Sequence, residues 1–215
     1  MRQDMEHSNF KKVSDLTAII LAGGKSSRIG MNKNKAMLEL DGKNLLDIII
    51  SKMKNITENI MIVAPPQKYP TYSNVVPDLF PIRTPLVGIY TGLKASTSCY
   101  NLIVGCDMPF VKNELFQYMI EQINSNDVII PRYGNQYIEP LCAIYSKNCL
   151  EVIKKNIHGG ILSIRKILPY LKVRFIEEEE IKKIDSHLNS FFNINFVEDL
   201  KKADKLISKK YFKDD

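Results

Sequence analysis

Thr17-Ala-Ile-Ile-Leu21 runs straight into Ala22-Gly-Gly-Lys-Ser-Ser-Arg28-Ile-Gly30 and then Met31-Asn-Lys-Asn-Lys35. The first five residues are apolar and partly β-branched, the composition of a buried parallel strand. Gly23-Gly24 ends the run where a backbone can turn tightly and approach a ligand. Lys25, Arg28, Lys33 and Lys35 follow, with no acidic residue between Ala22 and Lys35. A glycine loop rich in cations at the carboxyl end of a buried strand suits a polyphosphate. Read alone, it equally suits an ordinary strand-to-helix turn with a solvated basic rim. Two familiar phosphate loops are excluded. A Walker A loop ending at Gly24-Lys25-Ser26 needs glycine at position 19, where Ile19 stands, and Gly23, Gly24 and Gly30 do not give G-x-G-x-x-G.

Further along, short apolar runs alternate with helical patterns. Strands are expected at Asn59–Ala64, Val75–Val76, Asn101–Val104, Asp127–Ile130 and Val173–Ile176, with Ile138 to Tyr145 mostly apolar and strand-like after Gly134. Helices are expected from Asn44 as N-cap to about Lys54, and over Leu86–Ala95, Glu114–Asn124, Lys147–Asn156, Ile161–Leu171 and from Val197 onward. Met37–Leu40 ends in an Asp41-Gly42 turn, and Glu177–Glu180 reads as a solvated acidic run. Gly88 and Gly92, one turn apart, are expected where a helix packs closely on the sheet. The pattern predicts an α/β fold, three-layered, with a mostly parallel sheet covered on both faces. Ligands in such folds bind beyond the carboxyl ends of the strands, onto which the loops after Leu21, Val76 and Val104 all open.

The 215 residues suit one domain, expected over 16–215 behind a flexible tail at 1–15. A net charge of +6 favours anionic partners, but no basic run interleaved with aromatics points to nucleic acid. Cys99, Cys106, Cys142 and Cys149 show no C-x-x-C spacing, so Cys106 and Cys142 are expected in the core. The apolar runs are too short to cross a bilayer and residues 1–15 lack a leader's apolar segment, which makes a cytoplasmic protein the expectation.

The sharpest chemical candidate is Asp107. Gly105-Cys-Asp-Met-Pro109 puts its carboxylate just past a buried strand, where it could hold Mg²⁺ on a nucleotide or cap the following turn or helix. Asp78, in Val76-Pro-Asp-Leu-Phe80, reads by itself as a turn residue.

Leu21-Ala-Gly-Gly24, Arg28-Ile-Gly30 and Lys35 leading into Leu38 resemble the signature of nucleotidyltransferases, and most closely the molybdenum cofactor guanylyltransferase family. Thr84-Pro-Leu-Val-Gly88, Gly105-Cys-Asp-Met-Pro109, Ile138-Glu-Pro-Leu141 and Phe192-Asn-Ile-Asn195 extend the likeness, in order, over most of the chain. The resemblance implies a Rossmann-like fold of the nucleotide-diphospho-sugar transferase type and transfer of GMP from GTP to molybdenum-loaded molybdopterin. It implies nucleotide contacts from Leu21, Ala22, Gly23, Gly24, Lys35, Asp78, Gly88 and Asp107, with the backbone N–H groups of Ala22 to Gly24 holding the triphosphate. Arg28, Lys35 and Asp107 become the catalytic set, Asp107 the ligand of Mg²⁺, and Glu139, Asn193 and Asn195 the molybdopterin side. Further implied partners are other molybdenum cofactor biosynthesis proteins and the oxidoreductases that receive the product.

The chain departs from the family pattern in places. Arg28 to Lys35 is one residue longer than the common spacing, which brings Lys33 into contention; Lys35 keeps the spacing to Leu38 and Gly42. Asn34 replaces an aspartate, Thr84 a glycine and Phe196 a threonine. Two other readings compete: a cytidylyltransferase or other NTP-transferase acting on a small phosphorylated substrate, and an inactive nucleotide-binding regulatory protein.

Overall fold

The computed structural model describes residues 15–23 and 34–211. In chain order the strands are β1 (Leu16–Leu21), β2 (Glu39–Leu40), β3 (Lys43–Asn44), β4 (Asn59–Val63), β5 (Val75–Val76), β6 (Tyr100–Gly105), β7 (Val128–Tyr133), β8 (Tyr137–Ile138), β9 (Cys142–Ser146) and β10 (Val173–Glu177). The α-helices are α1 (Leu45–Lys54), α2 (Pro85–Ala95), α3 (Asn113–Glu121), α4 (Cys149–His158), α5 (Ile164–Ile167), α6 (Glu178–Ile184) and α7 (Val197–Tyr211).

The main sheet has the order β10-β7-β9-β6-β1-β4-β5, with β8 paired to β7. β1 is parallel to both β4 and β6, β4 to β5, and β7 to β10, whereas β9 runs antiparallel between β6 and β7. The sheet is thus mostly parallel, as the alternating pattern predicts. Because side chains alternate across a strand, Ala18 and Ile20 of β1 enter one core while Ile19 enters the other. The first core is closed by α1, α3 and α6 through Leu46, Ile49, Met53, Leu115, Phe116, Met119 and Ile181. The second is closed by α2 and α4 through Leu86, Val87, Leu93, Ile153 and Ile157. A small third cluster seats α7 through Ala203 on Leu40, Leu45 and Ile194.

The glycine pair of α2 has a steric reason. A Cβ on Gly92 would lie 2.5 Å from Ile19 Cγ2, and one on Gly88 would lie 3.3 Å from Leu21 Cδ1. Only a side chain without Cβ lets α2 press this closely on β1.

Three local expectations need correction. The strand-like run from Ile138 to Tyr145 is interrupted: β8 ends at Ile138, Glu139–Leu141 turns, and β9 then returns antiparallel to β7. Ile161–Leu171 is not one helix, because α5 gives way to a 3-10 turn at Leu168–Tyr170 around Pro169, which has no N–H to donate. Ahead of the Asp41-Gly42 turn, Lys35–Met37 form a 3-10 turn and Glu39–Leu40 the short strand β2. Glu177–Glu180 is not merely a solvated run but the start of α6. Glu177 is its N-cap in a reciprocal capping box with Glu180, where negative side chains face the positive end of the helix dipole.

Candidate active site

β1, β4, β5 and β6 are parallel, so their carboxyl ends lie along one edge of the sheet, with the chain diverging from β1 to both sides. That edge carries Leu21 to Gly23, Asp78 and Asp107, as the topology argument requires. The strand ends are cross-tied there. The Cys106 N–H donates to Leu21 O at 3.3 Å, the Gly105 N–H to Leu141 O at 2.9 Å, and the Ile194 N–H to Asp107 O at 2.9 Å. Segments from β1, β6, the turn after β8 and the approach to α7 are held together before any side chain contributes.

Lys35 stands at the centre. Its Nζ donates to Asp107 Oδ2 at 2.6 Å and to Asn195 Oδ1 at 2.8 Å. The Lys35 and Asp107 side chains are only 19% and 21% exposed, so water screens their attraction less than at an open surface. Asp107 does not cap the next helix: the N-cap of α3 is Lys112, which makes no side-chain cap bond. The carboxylate also depends on a neighbour. A Cβ on Gly105 would sit 2.6 Å from Asp107 Oδ1, so glycine two residues upstream is what lets the carboxylate fold back over the strand end.

Lys35 is itself placed by a buried tyrosine that no sequence motif singles out. The Tyr69 hydroxyl lies 2.7 Å from Ala22 O and 2.9 Å from Asn34 Oδ1, and Asn34 Oδ1 also accepts the Ala36 N–H at 3.3 Å. Asn34 therefore caps the short turn that begins at Lys35, and Tyr69 ties that turn to the end of β1. Burial pushes the phenol up to about 12, which keeps it a neutral donor. The signal was faint in the sequence because Tyr69 follows Pro65-Pro66 in an irregular stretch.

On the other side of β1, a Cβ on Gly23 would lie 3.6 Å from Asp78 Oδ2, which puts Asp78 directly against the loop start. The segment after it is pinned where Thr91 Oγ1 accepts the Leu79 N–H at 3.1 Å. Burial raises the Asp78 carboxyl above its ordinary value, with Arg83 opposing. Thr84, in place of the family's glycine, accepts the Val87 N–H and caps α2 ahead of Pro85. Gly88 lies buried in the α2–β1 interface, against the half-buried Leu21.

Ala22 requires one correction. Its N–H, expected among the phosphate donors, is taken by Val63 O at 3.1 Å, so it cannot turn to an anion while β1 and β4 stay paired. Gly24, Arg28 and Lys33 lie outside the described residues.

Glu139 is the most unusual group near Asp107. It is 5% exposed; Oε1 accepts the Leu141 N–H at 3.4 Å, and Oε2 finds no hydrogen-bond partner among the described residues. Burial pushes its carboxyl up to about 7, the Asp107 charge adds to this, and the Leu141 N–H and Asn193 amide pull the other way. Asn193 Nδ2 itself donates to Phe191 O at 3.3 Å. Cys106 is no nucleophile, since burial pushes its thiol up to about 12.

One carboxylate beside one lysine cannot hold a divalent ion unaided. Among the described residues no group of three or more His, Cys, Asp or Glu side chains is placed to bind a metal. The donor set does fit Mg²⁺ arriving on a triphosphate, which uses one or two carboxylates and fills its other positions with phosphate oxygens and water.

Residues 18–173 match the MobA-like NTP transferase domain. The chain is 40% identical, over 89% of its length and 96% of the relative's, to molybdenum cofactor guanylyltransferase of Desulfosudis oleivorans. It is 37% identical, over 91% of its length and 98% of the relative's, to the probable molybdenum cofactor guanylyltransferase of Natranaerobius thermophilus. The crystal structure of molybdopterin-guanine dinucleotide biosynthesis protein A from Archaeoglobus fulgidus superposes with a TM-score of 0.78 at 30% identity, covering 90% of this chain and 99% of that one. The chain belongs to the molybdenum cofactor guanylyltransferase family, built on the MobA-like NTP transferase domain.

Proposed function

We propose that this protein transfers GMP from GTP to the terminal phosphate of molybdenum-loaded molybdopterin and releases pyrophosphate. The observation that carries the reading is the meeting of Lys35, Asp107 and Asn195 at the carboxyl edge of a parallel sheet, beside the loop that starts at Gly23. In such a transfer an oxygen of the acceptor phosphate bonds to the α-phosphorus as the bond to the pyrophosphate oxygen breaks. The acceptor oxygen is already anionic, so no strong base is needed and catalysis reduces to alignment and charge neutralisation. Lys35 supplies a cation within reach of the phosphates and Arg28 is proposed to supply another. Asp107 would hold Mg²⁺ through Oδ2, and when bound the ion withdraws charge from the phosphates. Asp78 and Gly23 form the nucleotide side; Glu139, Asn193 and Asn195 form the acceptor side.

An inactive regulatory protein has no use for a lysine and a carboxylate held at 2.6 Å beside the phosphate loop. The base is tested by heat. Only a ligand that favours the native state raises apparent stability, by about 2.7 kcal/mol at a hundred times its dissociation constant. Guanine offers a ring N–H and an amino donor beside its O6, so a matched pocket rejects a base that leaves its polar atoms unpaired. With Mg²⁺ and each nucleotide at equal concentration, GTP is expected to raise the melting temperature well beyond CTP or ATP. A larger shift with CTP would move the assignment to a cytidylyltransferase.

A further inference from the structure

Lys35 touches both halves of the proposed site. Its ammonium donates at once to Asp107 Oδ2, the oxygen assigned to the metal, and to Asn195 Oδ1, on the side assigned to the acceptor. Resting on the guanylyl-transfer reading, we propose that Lys35 couples the two substrates: seating the nucleotide and its metal on Asp107 draws Lys35 away from Asn195, which frees that amide for the acceptor. The nucleotide then binds first and tightens binding of the acceptor.

The physical argument begins with competition for one oxygen. Mg²⁺ binds carboxylate oxygen at about 2.0–2.1 Å, while Lys35 Nζ lies 2.6 Å from the same atom. Both cations on Oδ2 would stand within about 5 Å of each other, where like charges repel in a site only partly open to water. The metal brings phosphates with it, and these offer the ammonium a more negative partner than an amide oxygen. Lys35 moves to them and Asn195 Oδ1 loses its donor.

The segment around Asn195 is built to keep its backbone in place through that change. The Asn195 and Phe196 N–H groups both donate to Asp199 Oδ2 at 2.9 Å, and the Ile194 N–H donates to Asp107 O at 2.9 Å. Only the Asn195 side chain is released, and it lies exposed where it can turn. By linkage, whatever the nucleotide does for the acceptor the acceptor does for the nucleotide.

The test is binding rather than turnover. Metal-free molybdopterin, a pterin with a terminal phosphate monoester, is titrated calorimetrically into the full chain. One series contains α,β-methylene-GTP with Mg²⁺, which cannot release pyrophosphate, and the other contains neither. The expected result is roughly tenfold tighter binding with the nucleotide present, within the usual range of coupling between sites. In Asn195→Ala that ratio should fall towards one, whatever the variant's absolute affinity, with an unchanged melting temperature showing that it is folded. Equal affinities in the unsubstituted chain, or an undiminished ratio in Asn195→Ala, would overturn the coupling and leave guanylyl transfer standing. If neither the analogue nor the pterin binds, the guanylyl-transfer reading fails and the coupling fails with it.

Discussion

Asp107→Asn is expected to leave a folded protein whose Mg²⁺-dependent guanylyl transfer is slowed about a hundredfold or more. The two side chains are nearly isosteric, so Gly105 still accommodates the group and the Ile194 N–H still meets the backbone oxygen of residue 107. What is lost is the charge, and with it both the hold on a divalent ion and the ionic half of the contact with Lys35. The stability cost should be modest, about 1 kcal/mol, because the pair is partly open to water. Rate and stability therefore separate. Pyrophosphate release measured against Mg²⁺ concentration should show the loss while urea unfolding stays close to that of the unsubstituted chain. Near-normal turnover would remove Asp107 from the metal site.

Glu139→Gln is expected to stabilise the fold above neutral pH and to abolish a pH dependence. The folded carboxyl titrates at about 7 against an ordinary 4.5, mainly because it is buried. Between those values the folded chain holds a proton that the unfolded chain has released, so this residue's contribution is fully present below pH 4.5 and is lost as pH rises through 7. The span corresponds to about 3 kcal/mol. Glutamine resembles the protonated acid and does not titrate. The variant should therefore gain up to about 3 kcal/mol over the unsubstituted chain at pH 8 and nearly nothing at pH 4.5, as read by urea unfolding at both. Parallel pH profiles would show that Glu139 is not the buried acid described. A carboxyl kept at such cost beside Asp107 fits a group retained for a ligand rather than for the fold.

The fold was legible where local pattern and burial agree. Thr17–Leu21 reads as a buried strand because both its faces are apolar, and α2 reads as close-packed because Gly88 and Gly92 share a face. Legibility failed where tertiary partners set the backbone. In Ile138 to Tyr145 the Pro140 inside the run hints at an edge-strand turn, but the mostly apolar residues around it do not show that the chain reverses there to pair β9 with both β6 and β7. The acidic run at Glu177 is a helix start only because the reciprocal cap with Glu180 forms, and Arg174 and Tyr118 bond to Glu180.

For the candidate site, the sequence offers residue types and an edge, not contacts. It brings Lys35 and Asp107 to the same edge, but their pairing across 72 residues is set by the tertiary fold. The resemblance puts Asn195 on the acceptor side, and its contact with Lys35 is a further, long-range one that no motif shows. The part of Ala22 was misread because the demand of the β1–β4 pair for its N–H is a long-range hydrogen bond. Tyr69 was missed for the same reason: its partners, Ala22 and Asn34, are 47 and 35 residues away.

The most direct test supplies the protein with molybdenum-loaded molybdopterin, Mg²⁺ and GTP labelled at the α-phosphate, then follows the label. Transfer to the pterin as a guanine dinucleotide, with one pyrophosphate released per label transferred and no comparable transfer from labelled CTP, is the predicted result. Label appearing only as free GMP, or moving to the pterin from CTP in preference to GTP, would contradict it.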